Sequence, residues 1–227
     1  MKTIGLLGGT GWSSTIEYYR IINQLTHEKL GGHHSANIIL KSIDYHYIMT
    51  AYSEKPEKIP SLLETELKGL LDLRPDTFMI CCNSLHKFYD EIKDDLNLQI
   101  PIFHAIDLTK TYIKNKKIKR VLFLASKFTM DDGFFVKKLA EPSLEIIVPN
   151  LEQRNILHEI HLNLLQNKVN FLMRQQFQNI ILANLPLEAV ILACSEFSLL
   201  MGQSTSDFPI IDPMYLQCLE AVNYSLA

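Results

Sequence analysis

Eight short apolar runs punctuate this chain, and stretches of helical period separate most of them. The runs are "TIGLLGG" (3–9), "NIILKSI" (37–43), "TFMICC" (77–82), "IPIFHA" (100–105), "RVLFLAS" (120–126), "LEIIVP" (144–149), "AVILAC" (189–194) and "FPIID" (208–212). Each is bounded by turn residues and has the length of a strand. Between the first two, residues 14–30 carry Ile16, Tyr19 and Ile22 at helical spacing, open with Ser14 and Glu17 in capping-box relation, and stop at Gly31-Gly32. A second helix is expected from Ser61, with Glu64 in the same relation and Leu63, Leu67, Leu70 and Leu71 on one face. Strands alternating with helices in this way predict parallel sheets covered by helices.

The alternation also repeats. Lys2 and Lys119 precede strands that run into small-residue turns, Cys81 and Cys194 end apolar strands, and Pro101 and Pro209 open two others. The offsets are 117, 113 and 108 residues, so they shrink steadily along the chain. Two α/β units of like topology are therefore expected, each supplying one strand-end cysteine.

Open parallel sheets bind ligands beyond the carboxyl ends of their strands, where Cys81 and Cys194 fall. Asn83, Ser84 and Ser195 follow as helix starters, and a thiol at a helix N-terminus is expected to have a lowered pKa. The exposed N–H groups there suit a carboxylate. Two thiols flanking a carbon next to a carboxylate can remove a proton from one face and return one to the other, which inverts the centre. Cys82 is expected to point to the opposite side of its strand from Cys81 and to be packed, and Cys218 is read as structural.

Other chemistries fit less well. With 227 residues, 47% hydrophobic and 21% charged, the chain has an ordinary globular composition, and no apolar run reaches bilayer length. The start "MKTIGLLGG" reads as a first strand and not a leader. A net charge of −3 and a single basic run, "KNKKIKR" at Lys114–Arg120, give no nucleic-acid face. Four cysteines without metal-type spacing suggest reduced thiols and a cytoplasmic location. His158 and His161, at i and i+3, are read as a solvated helix face with no third ligand, so no metal is expected. Gly8 to Gly11 matches neither dinucleotide nor P-loop spacing, and His86 is read as facing away from Cys81, against a cysteine hydrolase.

The motifs "KTIGLLGG", "LGGHHSA", "KSIDY", "CCNSLHK", "FTMDDGFF" and "VILACSE" together resemble the aspartate/glutamate racemase superfamily, on its aspartate and broad-specificity amino-acid racemase branch. The resemblance runs nearly end to end. It implies two pseudo-symmetric Rossmann-like αβα domains, mainly parallel, facing across a cleft: residues 1–104 with 209–227, and residues 105–208. It implies a cofactor-independent racemase acting on a small amino acid, and a homodimer. Cys81 and Cys194 become the acid/bases, and Thr10, Tyr52, Cys82, Asn83, Ser84, Ser195 and Lys168 the substrate-binding set. The sequence departs from the family where an Arg often grips a side-chain carboxylate: here stand Tyr52, Ser53 and Glu54. The acidic pair usual near "HLNLL" (161–165) is absent too. A dicarboxylate isomerase and a non-catalytic amino-acid-binding protein are the alternative expectations.

Overall fold

Four of the apolar runs build one parallel sheet and the other four build a second. The computed structural model describes residues 1–201 and 208–227. In the first half, β1 (Ile4–Gly8), α1 (Trp12–Leu30), β2 (Ile38–Ser42), α2 (His46–Glu54), α3 (Ile59–Leu71), β3 (Thr77–Ile80) and α4 (Leu85–Ile92) follow in order. In the second come α5 (Ala105–Lys116), β4 (Arg120–Leu124), α6 (Lys127–Asp132), α7 (Phe134–Leu139), β5 (Glu145–Ile147), α8 (Leu151–Leu165), α9 (Phe171–Leu182), β6 (Ala189–Leu192), β7 (Ile210–Ile211) and α10 (Pro213–Leu226). No helix among the described residues is long and apolar enough to cross a membrane.

The internal repeat holds in the order and pairing of the strands. The first sheet runs β2-β1-β3 and is extended by a parallel bridge from Phe78 to Ile102, while the second runs β5-β4-β6-β7. Leu7 pairs with Ile80 as Leu124 pairs with Leu192. The amide of Phe78 donates to Pro101 O as that of Val190 donates to Pro209 O. All the strand pairs are parallel.

The chain divides into two compact units, residues 1–105 with 214–227 and residues 106–213. This corrects the expected boundary at residue 209: β7 pairs with β6 through Val190 and Ile210, so the strand stays in the second unit and only α10 returns to the first.

Both faces of β1 and β3 are buried, which is why these two strands read as continuous apolar runs. Leu7, Phe78 and Ile80 pack with Leu63, Leu67 and Leu70 of α3 and Phe88 of α4. Ile4, Leu6, Met79 and Cys81 face the other way, against Tyr18 and Ile22 of α1 and Met214, Cys218 and Val222 of α10.

Two helix starts differ from expectation. α1 begins at Trp12, because Gly11 at φ 103° turns the chain directly into the helix; Ser14 Oγ donates back to Gly11 O (2.8 Å) instead of forming a capping box. α3 begins at Ile59, with Pro60 inside its first turn, where the missing N–H costs no helical bond. A capping box does open α8, between Asn150 and Gln153.

Candidate active site

Each sheet ends in a turn built on the same plan. In the first unit, the amide of Cys81 donates to Leu7 O (2.9 Å); in the second, that of Ala193 donates to Leu124 O (2.7 Å). Cys81 therefore occupies the position of Ala193, one residue past its strand, and Cys82 the position of Cys194, two past. The matching offset is 112 residues (82 to 194), one fewer than the sequence comparison of Cys81 with Cys194 suggests.

The adjacent cysteines differ in their surroundings. Cys81 is wholly buried and continues the strand's alternation into the core beside Tyr18 and Cys218. Burial, and after it the neighbouring Cys82, pushes the Cys81 thiol far above the usual thiol range. The lowering expected from a helix N-terminus is absent because α4 starts only at Leu85, with Ser84 as its N-cap. Cys82 is the half-buried member, on the opposite face as expected, and it packs against the core that holds Leu7, Phe78 and Ile80. Its Sγ lies 3.2 Å from Ser84 Oγ and 3.7 Å from Tyr45 Oη. Burial, then the nearby Cys82 and Tyr52, raises the Tyr45 phenol well above its usual value.

Side chains from several elements hold this turn. Thr10 Oγ1, from the glycine turn after β1, donates to Cys81 O (3.0 Å). That glycine turn is tight: a Cβ on Gly9, at φ 88°, would overlap the Ile43 backbone. His86, buried in α4, faces its own motif: Nδ1 bonds Cys82 O (3.0 Å), and Nε2 accepts from the Ala105 amide (3.2 Å). With Nε2 used as an acceptor, the ring is the neutral Nδ1–H tautomer. Tyr52 Oη donates to Ser84 Oγ (3.1 Å), and its ring packs edge-on to Phe88 (5.7 Å). Asn83 is 6% exposed, and its Oδ1 finds no hydrogen-bond partner among the described residues. Such an acceptor is costly to leave unmade and is a natural seat for a ligand N–H.

In the second unit, Cys194 is the N-cap of a short 3-10 helix, Ser195–Leu200. Its Sγ donates to Glu196 Oε2 (3.2 Å), which also accepts from Ser195 Oγ (3.1 Å). Glu196 is 5% exposed. His161, expected on a solvated helix face, instead lies within α8 with its Nε2 3.9 Å from the same carboxylate oxygen. Burial, opposed by Glu196 and reinforced by His158, holds the imidazole below its usual value. Lys168 is not gathered into this group; exposed beyond α8, it donates to Gln166 Oε1 (2.7 Å).

Sequence reasoning gave no role to Tyr45, Glu196 or His161. The first two sit inside the quoted motifs "KSIDY" and "VILACSE", so a signal was present. His161 is 33 residues before Cys194, with only the fold to join them.

The sequence profile of the Asp/Glu/hydantoin racemase family matches residues 7–221. The chain belongs to that family. Three solved relatives share the fold over 94% or more of their own length. A Yersinia pestis protein assigned to the Asp/Glu racemases is 29% identical with a TM-score of 0.85, each chain covered completely. An aspartate racemase homologue from Pyrococcus horikoshii is 25% identical, TM-score 0.82, again with complete coverage of both. Picrophilus torridus aspartate racemase, at 21% identity, shares the fold with a TM-score of 0.84 over 99% of this chain and 94% of its own. Family membership supports an isomerase of the racemase kind.

Proposed function

We propose that this protein is a cofactor-independent amino-acid racemase whose two acid/bases are Cys82 and Cys194. The observation that carries this reading is the matched position of the two thiols, each two residues past the central strand pair of its sheet. The reaction needs one thiol on each face of the α-carbon, one from each unit: a thiolate removes the α-proton while the opposite thiol supplies another.

The surroundings suggest which is which at rest. A proton on Cys194 is held by the Glu196 carboxylate, whereas Cys82 has two hydroxyls, from Ser84 and Tyr45, in reach to donate to a thiolate. The Oδ1 of Asn83 serves the substrate ammonium, and Ser84, Ser195, Thr10 and Tyr52 the carboxylate and pocket wall. The side chain accepted is aspartate, glutamate or a broader set, since Tyr52, Ser53 and Glu54 replace the usual arginine.

A homodimer belongs to this reading. Trp12, Ile16 and Tyr19 are each more than half exposed, at i, i+4 and i+7 on α1, which gives a second copy an apolar stripe to cover. Light scattering on the eluted protein checks the dimer, and Ile16→Glu is expected to yield monomer.

The activity is tested by incubating the reduced protein with single amino acids of either hand and following optical rotation. Decay of both hands of one amino acid to zero rotation is expected. Retained rotation with every amino acid, while calorimetry shows one of them bound, would replace the racemase with a binding protein.

A further inference from the structure

The second unit gathers a thiol, an imidazole and a carboxylate that differ from the first unit's hydroxyl-lined turn. Cys194 Sγ, a ring nitrogen of His161 and a Glu196 carboxylate oxygen all lie within 4.8 Å of one another. We propose that these three side chains form a binding site for a zinc-class divalent cation, and that its occupancy withdraws Cys194 from proton transfer. The binding stands on the geometry alone; the loss of turnover rests on the two-thiol reading above.

The dimensions are close to those a tetrahedral ion needs. With Zn–S, Zn–N and Zn–O bonds of ordinary length, the ligand atoms sit about 3.4–3.6 Å apart. Here Sγ to Oε2 is 3.2 Å and Nε2 to Oε2 is 3.9 Å. The remaining separation is within 4.8 Å and closes by a side-chain movement of about an ångström.

A mixed sulfur, nitrogen and oxygen set favours zinc and its neighbours over magnesium or calcium, which take oxygen. Three protein ligands leave the fourth position for water or a substrate group. Binding forms a metal–sulfur bond and releases the Cys194 Sγ proton to the buffer, one proton per ion with no change of oxidation state. His161 offers the approach, since its side chain is 18% exposed against 6% for Glu196.

The test uses Co²⁺ as the spectroscopic probe on the reduced, metal-stripped full chain. One equivalent is expected to produce a sulfur-to-cobalt charge-transfer band with the intense visible bands of a four-coordinate ion, and Zn²⁺ should displace both. Cys194→Ser should abolish the charge-transfer band and Cys82→Ser should keep it. His161→Ala and Glu196→Gln should each weaken binding at least about tenfold. Circular dichroism checks the fold of every variant, and His161→Gln replaces the alanine variant if that one unfolds. No charge-transfer band in the wild type, or a band that survives Cys194→Ser and vanishes in Cys82→Ser, overturns the proposal. With racemisation followed in parallel, inhibition should track cobalt occupancy and reverse on chelation. Full occupancy with undiminished turnover would leave the site standing and refute Cys194 as an acid/base.

Discussion

The turn after β3 and the turn after β6 share the hydrogen bond that closes them and differ in the chemistry that follows. Both place a thiol two residues beyond the strand, and in both the preceding amide closes onto the neighbouring strand, Cys81 onto Leu7 and Ala193 onto Leu124. The first turn surrounds its thiol with hydroxyls and is pinned by a buried neutral histidine. The second gives its thiol a buried carboxylate and is fastened by Ser198 Oγ donating to Ser195 O (2.7 Å). A duplicated scaffold can thus hold like groups at like positions while the neighbours decide which of them keeps a proton.

The largest effect should come from the two matched thiols. Cys82→Ser and Cys194→Ser should each lower racemisation about 10²- to 10⁴-fold, the range for loss of one general acid or base. Each variant should retain solvent exchange of one enantiomer only, of opposite hand in the two, read by mass spectrometry of the α-position. The same hand in both would break the symmetry between the turns.

Glu196→Gln removes the charged acceptor from the second turn alone. Racemisation should fall by about ten- to a hundredfold, the worth of a hydrogen bond to a charged group. Exchange at the enantiomer served by Cys82 should persist. Equal loss at both enantiomers would mean that Glu196 supports the fold and not one thiol.

His86→Ala tests the pin of the first turn. It removes the ring that bonds the Cys82 carbonyl and the Ala105 amide, at about 1–3 kcal/mol for each bond. Urea unfolding should show the protein about 2–4 kcal/mol less stable. Ser198→Ala, at the corresponding place in the second turn, should cost about 1 kcal/mol or less.

The last effect is a pH dependence. Folding holds the Cys81 thiol far above its unfolded value, so the folded chain keeps this proton where the unfolded chain releases it. The stability from this group is complete below an unfolded thiol pKa of about 8.5 and declines as pH rises above it, by at most about 1.4 kcal/mol per pH unit. Cys81→Ala should flatten the decline between pH 8 and 9.5, measured by urea unfolding.

Much of this was legible beforehand. The steadily shrinking offsets of the repeat anticipated two sheets of equal strand order, because each marks a place where strand and turn chemistry coincide. What failed was a matter of one residue. Alternation assigns Cys81 and Cys82 to opposite faces correctly, but it does not say at which residue a strand stops, and β3 stops at Ile80. Cys81 then extends the core on one face, and Cys82, half-buried, sits against the core on the other. The helix terminus that was to lower a thiol's pKa begins four residues later than Cys81, too far to outweigh burial. His161 was illegible for another reason: its partners arrive from β6 through packing, and no local pattern on α8 announces them.

The central claim, that Cys82 and not Cys81 is the counterpart of Cys194, is tested most directly by deuterium wash-in at the substrate α-carbon in D2O, followed by NMR. Cys81→Ala is compared with Cys82→Ala. The first places in one turn the residue that already stands in the other, at Ala193, and should exchange both enantiomers at close to the wild-type rate. The second should exchange no more than one hand. Full exchange in Cys82→Ala with none in a folded Cys81→Ala would contradict the account and return the acid/base role to the buried thiol.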